Sequence, residues 1–176
     1  MAGPQTVAQA LATFSLKHTL VVPQRECSEA EIQQVDCYHF STAPLAVECE
    51  FVESAPTRDQ DLRTRKYLWV ITETHVPFGK EVGGHSDIKH TNLTGGGKAY
   101  CGGEIWFADK ESIYLNGGSG RYPCENDEAL LESVKSFYMD IGYRVAIPPF
   151  DDDMGQRPRV FKSEAMVEWQ KRDHQN

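Results

Sequence analysis

Two strand-like runs joined by a short polar turn, "AYCGGEIWFA" at 99–108 and "SIYLNGGSG" at 112–120, most constrain what this chain can fold into. Both alternate side chains with a period of two, and "DKE" between them is polar and turn-like, so they predict a β-hairpin. Alternation places Glu104, Trp106 and Ala108 on one face of the first strand and Ile105 and Phe107 on the other. In the second strand it separates Ile113 and Leu115 from Tyr114 and Asn116. The aliphatic face is expected to pack inward. The other face is expected to present Glu104, Trp106, Tyr114 and the "SGRY" end as a shallow pocket.

Glycine punctuates this hairpin where strand formers would be expected. Gly102 and Gly103 precede "EIWF" directly, and glycine inside a strand marks a bulge, a bend or close approach of another group to the backbone. Gly95, Gly96 and Gly97 form either a flexible connector or a place where the backbone takes positive φ. "NGGSGR" has the composition of a tight turn, and its backbone N–H groups could converge on an anion. Neither stretch follows the pattern of a nucleotide phosphate loop.

Around the hairpin the pattern changes with position. Val7, Leu11 and Phe14 recur at helical spacing, which predicts a helix over 4–17 with Pro4 near its start. "SEAEIQQVDCYHF" offers a capping box at Ser28 and Glu31, with Ile32 and Val35 as its buried stripe. "LAVECEFVE" reads as a half-buried strand, and "YLWVIT" as a central strand with "ETHVPFG" after it, ending near Pro77. "ENDEALLESVKSFYMDIG" is the clearest helix, with Leu130, Val134, Phe137 and Ile141 as its stripe and Gly142 as its stop. "YRVAIPP" and "RPRVF" suggest short closing strands, and "SEAMVEWQKRD" a last peripheral helix. The order predicts an α+β domain over 1–176, with a helical part (1–43), a strand-rich core (44–122), and a helix with closing strands (123–176). In that arrangement the sheet is mostly antiparallel and a C-terminal helix packs on it.

Charge narrows the range of partners. The chain carries a formal net charge of −8 over 176 residues, which disfavours extended binding to phosphate backbones unless basic side chains cluster locally. "RDQDLRTRK" gathers Arg58, Arg63, Arg65 and Lys66 and is the one basic patch that could meet a phosphate chain; a solvated loop is the plainer reading. No apolar run approaches the roughly 18 residues of a membrane span, so no membrane partner is expected. The N-terminus lacks the pattern of a secretory signal. Five scattered cysteines without CxxC spacing read as reduced thiols, and a cytoplasmic location follows as an expectation.

Candidate chemistry centres on His90, Glu104 and Arg121. Metal-independent RNA cleavage needs a base for the 2′-hydroxyl proton, an acid for the leaving oxygen, and a cation or N–H nest for the phosphate. Glu104, His90 and Arg121 fit those three roles in that order, with Ser119 or Tyr122 donating a hydrogen bond. Each also has a structural reading: a solvent-facing strand residue, a loop histidine bonded to a carbonyl, and a salt-bridge partner. Beyond Arg121, the sequence offers Glu104 no evident second cation. A metal site from Glu81, His85 and His90, a zinc site from Cys101, Cys124 and a histidine, and a hard-cation turn at "FDDDMG" are weaker patterns. No cofactor and no metal are expected.

The combination "KHTNL", "GGE" and "SGRY" resembles bacterial domains of polymorphic-toxin and related conflict proteins. In those a His followed by Ser or Thr, a Gly-Glu on a strand, and a Ser-Gly-His/Arg-Tyr end occur in this order. The matching residues are His90, Thr91, Gly103, Glu104, Ser119, Gly120, Arg121 and Tyr122, within roughly 85–145. The resemblance implies an effector- or toxin-like enzyme with His90, Glu104 and Arg121 as catalytic residues. Thr91, Gly103, Ser119, Gly120 and Tyr122 would then bind a phosphate-containing substrate such as RNA. At fold level the order of elements is similar to barnase-like RNases. "HFST" at 39–42, taken with Glu104, is similar to the strand motif of NAD-dependent ADP-ribosyltransferases, except that Ala43 stands at the third motif position. The acidic composition fits a different class: a non-catalytic binding module, immunity- or adaptor-like, for a ligand or a basic protein partner.

Overall fold

The structure, a computed structural model, describes residues 3–56, 63–82, 87–124, 127–148, 150–151 and 160–161. Its centre is a six-stranded sheet in the order β1-β3-β2-β4-β5-β6, formed by β1 (Tyr38–His39), β2 (Tyr67–Ile71), β3 (Pro77–Lys80), β4 (Cys101–Asp109), β5 (Ser112–Asn116) and β6 (Arg144–Ala146). Every pair is antiparallel except β5 with β6, whose parallel pairing is reached through the helix α3 (Glu128–Asp140). The architecture is α+β, with a mostly antiparallel sheet and a C-terminal helix packed on it. Phe150–Asp151 and Val160–Phe161 form a separate two-stranded ribbon. No helix among the described residues is long and apolar enough to cross a membrane.

Alternation along the strands sorts residues between two covered faces. On one, Tyr67, Trp69, Ile71, Phe78, Ile105, Phe107, Ile113, Leu115 and Val145 meet the apolar stripes of α1 (Val7–Ser15) and α3. Phe107 lies within ring-packing distance of Phe40, Tyr67 and Phe78, and Tyr138 of α3 packs edge-on against Trp69. Caps set the helix ends. Thr6 and Gln9 form a capping box at α1, and the Asp127 carboxylate accepts the Leu130 N–H at α3. Gly142, at φ 103°, ends the last turn of α3 in a conformation that favours glycine.

The opposite face is covered as well, so Glu104, Trp106 and Tyr122 are buried rather than lining the expected shallow pocket. Leu68 and Val70 pack with Ile88, Leu93, Ala99 and Tyr122, while Trp106 and Tyr114 pack with Val52 and Ala146. Leu93 belongs to α2 (His90–Thr94), a short helix just ahead of the three glycines. Gly95 and Gly96, at φ 65° and 80°, close it with the left-handed backbone that glycine allows.

Two further expectations fail for reasons of tertiary bonding. The capping box of Ser28 and Glu31 forms, yet the helix lasts a single 3-10 turn, Ala30–Ile32. The Asn92 amide of α2 donates to the carbonyls of Ala30 and Gln33, taking acceptors that a continuing helix would use itself. Tyr38 and His39 then pair with β3 as β1. "LAVECEFVE" makes no ladder. It is held by scattered bonds, Leu45 N–H to Lys110 O, Val52 N–H to Phe107 O, and the Tyr67 hydroxyl accepting from Glu50 N–H. The expected helix at "SEAMVEWQKRD" lies outside the described residues.

Candidate functional site

The three motif segments converge on the covered face and bond to one another. Gly102 is the reason they come so close. A Cβ there would stand 3.0 Å from the His90 ring and 2.9 Å from Trp69 O, so only glycine leaves room for the histidine. The His90 Nε2–H donates to Gly103 O at 2.8 Å, and the Gly102 N–H donates to Tyr122 O at 2.8 Å. Tyr122 returns the link to α2: its hydroxyl donates to Gly97 O and lies 2.9 Å from Thr94 Oγ1. Burial pushes the Tyr122 phenol above its ordinary range, partly offset by Thr94, so it stays protonated and remains a donor.

Glu104 sits at the middle of this assembly, and its partners come from three elements. Lys66, just before β2, places Nζ 2.5 Å from Glu104 Oε2 and 2.6 Å from Glu81 Oε2. Asn116, opposite Glu104 on β5, donates from Nδ2 to Oε1 at 3.3 Å. Its Oδ1 accepts the N–H groups of Glu104 and Gly118, fixing the glycine turn to the strand. Glu104 is 2 % exposed and Lys66 8 %, so the ion pair is buried. A buried ammonium shared by two carboxylates carries a net charge of −1, held in a low-dielectric setting.

The remaining motif residues are placed as follows. Ser119 Oγ accepts from the N–H groups of Arg121 and Tyr122, so these donors meet on the turn's own serine rather than on open space. Arg121 points to Glu31, with Nη2 to Oε2 at 3.1 Å, and its guanidinium holds that carboxyl below the usual carboxylate range. Arg121 Nε and Thr91 Oγ1 are buried and have no partner among the described residues. Gly103 lies beneath the Trp69 indole, where a Cβ would meet Trp69 Cζ2 at 2.7 Å and overlap Asn116 O. Gly120 is exposed beside Arg25. His90, Thr91, Gly103, Glu104, Ser119, Arg121 and Tyr122 are all buried.

Lys66, Glu81 and Asn116 are the site residues whose roles the sequence does not announce. Lys66 belongs to the basic run, where a solvated loop is the plainer reading; the antiparallel register of Leu68 with Glu104 instead brings it to the acid. Asn116 shares Glu104's face by alternation, which is a usable signal. Among the described residues no three His, Cys, Asp or Glu side chains form a metal-ligand set; His85 and most of "FDDDMG" lie outside those residues. All five cysteines are free, and burial beside Cys124 pushes the Cys101 thiol far up. His39 of "HFST" is on β1, separated from β4 by β3 and β2, about 14 Å at ordinary strand spacing.

Comparison of the chain with protein-family models, curated proteins and solved structures finds no match.

Proposed function

We propose that this protein is an effector- or toxin-like enzyme acting on a phosphate-containing substrate, most specifically by metal-independent RNA cleavage. The supporting observation is the Lys66–Glu104 pair, set at the point where the His90, Gly-Glu and Ser-Gly-Arg-Tyr segments meet. Glu104 is the base for the 2′-hydroxyl proton, Lys66 supplies the charge that steadies the phosphate as it becomes pentacoordinate, and the leaving 5′-oxygen takes its proton from solvent water. His90, tied through Nε2 to Gly103 O, orients the strand next to Glu104. Arg121, turned to Glu31, braces the glycine turn.

A second reading is favoured by the burial of Glu104 and by the protein partners of His90 and Arg121. In it the same cluster is the scaffold of an acidic binding module, and its bonds serve only to hold a face in shape. The two readings separate on incubation of the protein with RNA in excess chelator. The enzyme leaves fragments ending in 2′,3′-cyclic phosphate and spares RNA with a 2′-deoxy residue at the cleavage position. Intact RNA after prolonged incubation of folded protein would remove the enzymatic reading and leave the binding module.

A further inference from the structure

Farther along the same sheet face lies a cavity of about 510 Å³ that the Glu104 cluster does not use. On the hairpin, Glu104 opposes Asn116, Trp106 opposes Tyr114, and the cavity starts at Tyr114 and Ser112. Successive side chains on one face of a strand stand about 7 Å apart, so the cavity begins one pair beyond Glu104. A register shift between Phe107 and Asp109 opens the hairpin end there, as β-bulges do.

Two arginines reach this cavity from different elements. Arg65, exposed and next in sequence to Lys66, is anchored by Nη1 donating to Phe51 O at 2.9 Å. Arg144 comes from β6, where it pairs with Ser112. Ser112 is 2 % exposed, lines the cavity, and its Oγ has no hydrogen-bond partner among the described residues. A buried hydroxyl without a partner is costly, and this one lines the same cavity as two arginines, whose charge suits an anion. The cavity is too large for phosphate alone. Phe51, 38 % exposed, and Tyr114 give it aromatic surface, and Glu53 adds an acceptor suited to ribose or base N–H and O–H groups. Asp109 also lines it, but its carboxylate accepts the Glu111 N–H of the turn.

We infer that this cavity is a nucleotide subsite: Arg65, Arg144 and Ser112 hold a phosphate, and Phe51 and Tyr114 flank the base. Its use as a subsite for RNA beside Glu104 rests on the function proposed above; its ability to bind a nucleotide does not. The test is calorimetric titration of the whole chain with adenosine 5′-monophosphate, with inorganic phosphate as the comparison probe. Saturable binding of the nucleotide is expected, tighter than that of phosphate. Arg65→Gln and Arg144→Gln should each weaken it by about tenfold, as loss of a charge-assisted hydrogen bond does. Glu104→Gln should leave it within about twofold, since that carboxylate lies outside the cavity. Absence of saturable binding at millimolar nucleotide, binding indifferent to both arginine changes, or binding abolished by Glu104→Gln would each overturn the assignment. If RNA is not cleaved but the nucleotide binds with the expected arginine dependence, the subsite stands and only the enzymatic reading falls.

Discussion

The two faces of the sheet are built from alternate residues of the same strands, yet they are held by different physics. The helix-covered face is a stack of rings, with Phe40, Trp69, Phe78, Phe107, Tyr138 and Tyr143 packed edge-to-face and at a tilt. Its stability comes from area removed from water, and many mixtures of apolar side chains of similar volume would serve. The opposite face buries Lys66, His90, Glu104, Asn116 and Arg121, each bonded to a named neighbour, with the Arg121 Nε alone among these left without a partner among the described residues. Such a network tolerates little, because removing one member strands another in a low-dielectric interior. A fold alone does not require that arrangement.

The largest loss is expected from Gly103→Ala, because the new methyl would enter the ring-packed face and strike the backbone of β5 together. It overlaps Asn116 O and presses on the Trp69 indole, so strand β4 must shift. A loss of at least ~3 kcal/mol is expected in urea unfolding, beyond the ordinary cost of an overpacked core. Lys66→Met should come next, at about 3–5 kcal/mol, since it leaves Glu104 and Glu81 facing each other without their shared cation.

A smaller pair of changes sharpens the contrast, because one substitution carries opposite signs on the two faces. Tyr122→Phe removes a hydroxyl bonded to Gly97 O and Thr94 and should cost about 1 kcal/mol. Tyr138→Phe removes a buried hydroxyl with no partner among the described residues and should stabilise by about 1 kcal/mol. Thermal midpoints of the two variants, measured side by side, should move in opposite directions.

The effect confined to alkaline pH belongs to the ring-packed face. Burial pushes the Tyr67 phenol up to about 12, against an ordinary value of 10, the Glu50 N–H offsetting part of it. The folded form therefore keeps a proton that the unfolded chain gives up. That contribution is fully present below about pH 10 and is lost as pH rises toward 12. Tyr67→Phe should flatten the decline in unfolding free energy over this window.

Much of the ring-packed face was legible in the sequence, and less of the polar one. Helical spacing located α1 and α3, Gly142 marked the end of α3, and alternation assigned Ile105, Phe107, Ile113 and Leu115 correctly to one face, while the Thr6 cap that starts α1 three residues past Pro4 went unread. Those are local signals. The polar face depends on pairing between distant segments. The helix begun by Ser28 stops because Asn92, far along the chain, takes its carbonyls. Lys66 reads as part of a charged loop until the register of β2 on β4 brings it to Glu104. The glycines were informative in a different way. A strand glycine announces a close approach, and Gly102 and Gly103 provide it for His90 and Trp69, but nothing local tells which group arrives.

Under the proposed function, the buried acid of the polar face takes up a proton as well as holding a strand. The most direct measurement is the single-turnover rate of RNA cleavage in excess chelator by the wild-type chain and by Glu104→Gln, with the thermal midpoint taken on the same samples. Glutamine keeps one oxygen for Lys66, sets its NH2 toward Asn116 Nδ2, and cannot take up a proton. A rate at least about 100-fold lower, with the fold retained, is expected. A folded Glu104→Gln protein that cleaves within about twofold of wild type would contradict the role proposed for Glu104.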